Sequence, residues 1–220
     1  MNAGAPKAIQ LGLVCVALLA IILGAQALAV FSAPGGSTAS TGAVLGQTGF
    51  EYLGGLRKFA AATLWNRLEP QFHEYGGGET IDKRLEFLPT MRLVQILDPQ
   101  FEQAYYVSAF MLARIGRMPQ ALEVARDGIK NNPTSGLMRA NYVQILLIGD
   151  PVKNLPEAYA EAKSGIAPGI AWANDDDKFE GYGIFQAVFR LAGDKANAEK
   201  MTVEQQKLRS RGAALGIERQ

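Results

Sequence analysis

Beyond Phe50 the apolar residues fall three and four apart, the spacing of one helical face, and no long run alternates apolar and polar positions as a half-buried strand would. The pattern predicts an all-α domain. Its first helix covers residues 50–75, with Leu53, Leu56, Ala60, Leu64, Leu68 and Phe72 on one stripe, a kink at Pro70 and a stop at Gly76-Gly77-Gly78. The second covers 80–98, from Thr80 as N-cap through Leu85, Leu88, Met91 and Val94. A bend or break is expected at Pro89, and Asp98-Pro99 closes the helix because the residue before a proline is pushed out of helical geometry.

The third helix, 100–115, is the clearest amphipathic segment, with Phe101, Ala104, Tyr105, Ser108, Met111, Leu112 and Ile115 on one face. Pro119 suits the first turn of a fourth helix running to 131, where a missing amide donor costs nothing. A fifth spans 134–148, and a sixth spans 155–165 with Asn154 and Glu157 at capping-box spacing. The seventh, 175–191, carries Phe179, Tyr182, Phe185 and Phe189, and the eighth, 195–211, carries Ala198, Met201 and Leu208.

Ahead of these helices the pattern changes. Residues 8–31 run without a charge, long enough for the roughly 20 apolar residues that cross a bilayer. Lys7 precedes this span and no basic residue follows it until Arg57, which places the leader in the cytoplasm and the helical domain on the extracytoplasmic side. Ala27-Leu28-Ala29 has the small-x-small form of a cleavage site, so a secreted protein with a signal removed after Ala29 stays an alternative. Residues 32–49, rich in Gly, Ser, Thr and Ala, read as a flexible tether. The expected organisation is a cytoplasmic leader (1–7), a transmembrane helix (8–31), a linker (32–49), the helical domain (50–212) and a C-terminal tail (213–220).

Residues 102–135 resemble a tetratricopeptide repeat, an antiparallel helix pair with a period of about 34 residues. The matching positions are Tyr105 as the aromatic, Ala109 as the small residue at the helix crossing, Leu112 as the large apolar residue, Ala121 in the second helix and the closing Pro133. Ser108, Ala125 and Gly128 depart from the motif, and a looser packing of this unit is expected from them. With a short insertion at the turn from Gly149 to Leu155, a second unit places Ala158, Ala162 and Gly165 at the small positions. The resemblance implies a membrane-anchored tetratricopeptide-like α-solenoid whose first helices line a groove for a protein partner. The groove positions it implies are Gln103, Tyr106, Phe110, Ala113 and Arg114, then Leu137, Ala140, Gln144, Leu147 and Ile148. So apolar a groove suits a hydrophobic or helical ligand better than an acidic tail, and the expected partners are subunits of a membrane or envelope complex. A second expectation is an accessory subunit that meets its complex mainly through the transmembrane helix.

Chemistry narrows the field further. Apart from Lys7 the charges balance, with none of the basic excess that replaces phosphate counterions, so no nucleic acid is expected. Cys15 is the single cysteine and His73 the single histidine, which leaves no disulfide, no zinc set and no obvious acid–base pair. His73 reads as a helix-end residue and Gly76-Gly77-Gly78 as a hinge or cap, since it lacks the lysine and hydroxyl of a phosphate loop. Asn174-Asp175-Asp176-Asp177 lacks the spacing of a calcium loop and reads as acids offsetting the dipole at a helix start. No enzyme activity, cofactor or metal is expected.

Overall fold

The computed structural model describes residues 41–73 and 87–214. The expected leader, span and first half of the tether (32–40), with Cys15, Gly76-Gly77-Gly78, residues 80–86 and the end of the tail, lie outside these. Among the described residues no helix is long and apolar enough to cross a membrane. All regular structure there is helical: α1 (Thr41–His73), α2 (Phe87–Leu97), α3 (Glu102–Arg114), α4 (Met118–Asn131), α5 (Gly136–Gly149), α6 (Leu155–Gly165), α7 (Asp175–Leu191) and α8 (Lys195–Ala214). The chain divides into two units, 1–56 and 57–220, the second holding the last part of α1 and all later helices.

Several boundaries follow their signals closely. Pro119 sits in the first turn of α4, and Gly116 takes φ 79°, the left-handed turn that glycine adopts without a Cβ penalty. The Asn174 side chain accepts from the Asp177 amide at 2.8 Å, and Asp175, Asp176 and Asp177 occupy the first turn of α7, where their charge opposes the helix dipole.

Others differ, each for a local reason. Helix α1 starts at Thr41 rather than Phe50, so residues 41–49 are helical rather than tether. Extending an existing helix adds one hydrogen bond per residue fixed, and an isolated glycine costs only about 1 kcal/mol against it. Pro89 is the third residue of α2, and the stretch from Thr80 on which a bend or break at Pro89 is expected to act lies outside the described residues. The capping box at α6 does not form. Asn154 is itself helical and makes no cap; its side-chain amide donates to the Leu146 carbonyl at the end of α5, 2.9 Å away. Glu157 is drawn to Tyr142 and Arg126 instead.

From α2 onward each helix packs on the next, and α3 also packs on α5 and α5 on α7. That wiring makes two layers of helix pairs, with α3, α5 and α7 as neighbours in one row. Small residues let the helices approach: Ala109, Ala121, Ala125, Ala158 and Ala162 are all fully buried. The looser packing expected around Ser108 and Gly128 is not found. A Cβ at Gly128 would lie 2.8 Å from Met138 Sδ and 3.2 Å from Tyr105 Cβ, so that space is already filled. Ser108 accepts from Gln95 Nε2 at 2.9 Å, which satisfies a buried polar pair between α2 and α3.

Two cores result. One runs through α3–α8, centred on Val143, Ile145, Phe185, Val188 and Phe189. The other joins Ala61, Trp65 and Leu68 of α1 to Phe87, Met91 and Val94 of α2 and to Ala104 and Met111 of α3.

Candidate partner-binding groove

The starts of α3, α5 and α7 lie side by side because the segments before them are tied together. Gly136 N donates to Ala171 O and Ala171 N to Thr134 O, both at 2.8 Å, in an isolated parallel bridge between Ser135 and Ala171. Asn132 Nδ2 reaches Pro99 O at 3.4 Å, which adds the start of α3 to the set. Trp172 then wedges beneath: a Cβ on Gly136 or on Gly181 would come within 2.2 Å of its indole. Only glycine admits the ring at either place. Trp172 also meets Tyr182 and Phe185 edge-on, with centroids 5.5 and 6.2 Å apart.

On the other side of these helix starts is a cavity of about 240 Å³ lined by Trp65, Glu69, Gln103, Tyr106, Val107, Leu137, Asp177 and Glu180. It unites three of the residues expected in a groove, Gln103, Tyr106 and Leu137, with acids of α1 and α7. Phe110, Arg114, Gln144 and Ile148 lie further along α3 and α5 and are not in that lining. Among the described residues Tyr106, Phe110 and Leu137 are half-buried yet join neither core. Arg114 and Ile148 are exposed. Ala113 and Ala140, expected on the groove surface, are buried instead, because α3, α5 and α7 touch through their small residues. The Gln144 side-chain oxygen is buried without a donor among the described residues, as is that of Asn141, whose amide donates to Tyr106 O at 3.4 Å.

Among the described residues the charged side chains that line the cavity, Glu69, Asp177 and Glu180, are all acidic. Burial pushes the Tyr106 phenol above its ordinary value, and Glu180 and Asp177 add to that shift. Burial likewise raises the Asp177 carboxyl, with the Asn174 hydrogen bond opposing and Asp176 reinforcing the shift. Glu102, at the start of α3, is raised by burial, a change that the Ser135 hydroxyl opposes and Asp177 reinforces.

Sequence patterning missed Trp65, Glu69 and Glu180 as lining residues. Trp65 stands one position past Leu64 on the predicted stripe, and Asp177 reads equally well as a dipole-offsetting acid, which it also is. Among the described residues no cluster of three metal-binding side chains occurs. Compared with known proteins, the chain matches no family model and no curated protein.

Proposed function

We propose that this chain is a membrane-anchored, non-catalytic scaffold or assembly protein that holds a segment of a protein partner in a tetratricopeptide-like groove along α3, α5 and α7. One observation carries the reading: two neighbouring helices of one layer, α3 and α5, present Tyr106, Phe110 and Leu137, large side chains that are half-buried but contribute to neither core among the described residues. Aromatic residues and arginine dominate binding hot spots, and Tyr106, Phe110 and Arg114 follow one another at four-residue spacing on α3. The span at 8–31 would hold this groove at the extracytoplasmic face of a membrane, among subunits of a membrane or envelope complex.

Replacing Tyr106 and Arg114 together with alanine should abolish recovery of co-purifying partners from detergent extracts while leaving far-ultraviolet circular dichroism unchanged. Equal recovery from the double variant removes the groove assignment. Deleting residues 1–31 tests the accessory-subunit alternative, in which partners depart with the span.

A further inference from the structure

We propose that the cavity between Trp65 and Tyr106 receives one basic side chain, lysine or arginine, from the partner segment, with Glu69, Asp177 and Glu180 as its counter-charges. The inference rests on the groove reading and names what the groove selects.

Size is the first ground. At about 240 Å³ the cavity falls below the range of roughly 300–1,000 Å³ in which small-molecule ligands usually bind, and it opens at the end of a groove rather than within an enclosed core. One long side chain suits it. Its walls include the rings of Trp65 and Tyr106 with Val107 and Leu137, surfaces against which a lysine or arginine stem packs.

Charge is the second. Among the described residues the lining contains three carboxylates and no basic group. The starts of α3, α5 and α7 act in the opposite sense, each contributing roughly half a positive charge. Three such termini do not cancel Glu69, Asp177 and Glu180 together with Glu102, even with Asp175 paired to Arg211 at 3.5 Å. The Tyr106 phenol is raised chiefly by burial, with Glu180 and Asp177 adding to the shift. A cation here gains the carboxylates and the faces of two aromatic rings, whereas an acidic tail is repelled. The preference for a merely apolar ligand that the groove residues suggest by themselves is thereby narrowed to an amphipathic segment carrying a basic residue.

The test titrates the full chain in detergent with the acetyl-amides of lysine, arginine, norleucine and glutamate while following the Trp65 indole N–H resonance. The lysine and arginine derivatives should shift it saturably, with norleucine and glutamate inert, and Glu69→Gln with Glu180→Gln should weaken the lysine titration by roughly tenfold. Equal shifts from norleucine, or a titration that the double variant leaves unchanged, overturn the proposal. Partner recovery separates the two readings. If Tyr106→Ala with Arg114→Ala abolishes recovery but the titration fails, the groove stands and the cation assignment falls. If the titration succeeds while that double variant retains its partner, the cavity takes a cation and the groove reading falls.

Discussion

The α3–α8 body and the α1–α2 end of the 57–220 unit are built from the same kind of helix but packed by different means. In the body, alanines and glycines bring backbones together and large residues fill what remains, so that Phe185, Val188 and Phe189 are fully buried. At the other end the contacts are made by long side chains. Trp65 meets Phe101 at 5.4 Å between centroids, Arg57 donates to the Ile96 carbonyl at 2.6 Å and Lys58 to Gln100 at 3.2 Å. Large apolar groups are exposed at this end, with Phe59 at 72%, Leu93 at 45% and Ile96 at 53%, as Val152 and Leu191 are in the body. Close backbone packing is expected to make the body one cooperative core, and side-chain contacts to let the end open by itself.

The largest effect expected from this contrast concerns cooperativity. Phe185→Ala should destabilise the chain by about 3–5 kcal/mol and remove hydrogen-exchange protection throughout α5–α8. Trp65→Ala should remove protection from α1 and α2 while α5–α8 keep theirs. Uniform loss in both variants would merge the two cores into one.

Next come the glycines, where a tightly packed position and an open one should respond with opposite signs. Gly181→Ala forces a methyl against the Trp172 indole and should cost about 1–3 kcal/mol in urea unfolding. Gly55→Ala, in the part of α1 that belongs to the 1–56 unit, meets nothing within 4 Å among the described residues and should stabilise its helix by about 0.5–1 kcal/mol, through lower unfolded-chain entropy and better helix propensity. A destabilising Gly55→Ala would mean that α1 has a close neighbour at that point.

How far these packings could be read beforehand follows the same division. Helix periodicity marks α3–α8 to within a few residues, and the small positions Ala109, Ala121, Ala158 and Ala162 announce themselves through the repeat-like spacing. Periodicity does not say which partner fills a gap. Gly136 and Gly181 lie far apart in sequence, and nothing local reports that Trp172 reaches both. Glu157 has the spacing of a cap residue, yet a phenol from the preceding helix competes for it and wins. The groove residues were legible by analogy along α3 and α5. The acids of α7 that finish the cavity were not, because their placement depends on the bridge between Ser135 and Ala171.

The seam between the regions should show a smaller effect. Gln95 of α2 donates to Ser108 Oγ at 2.9 Å and to Ala104 O at 3.1 Å, all buried. A double-mutant cycle of Gln95→Ala and Ser108→Ala should return a coupling of about 0.5–1.5 kcal/mol, measured by chemical denaturation. Coupling near zero would make the seam apolar in effect.

Smallest is the tie across α4, α5 and α6, where Arg126 Nε donates to the Tyr142 hydroxyl at 2.7 Å and that hydroxyl donates to Glu157. Tyr142→Phe should cost about 0.5–1.5 kcal/mol at neutral pH. Burial and the Glu157 hydrogen bond push the Tyr142 phenol from 10.0 up to about 12. A folded-state value above the unfolded one means that the contribution is complete below pH 10 and fades as pH rises toward 12. The stability gap between wild type and Tyr142→Phe should therefore narrow across that interval, and a gap that widens there would reverse the assignment.

The most direct test of a partner groove places a photocrosslinking residue at Tyr106 in one full-length variant and at Glu123, exposed on α4, in another, with irradiation in native membranes. A discrete adduct from position 106 and none from position 123 is the expected result. Equal adducts from both positions, or none from 106, would contradict a groove along α3, α5 and α7.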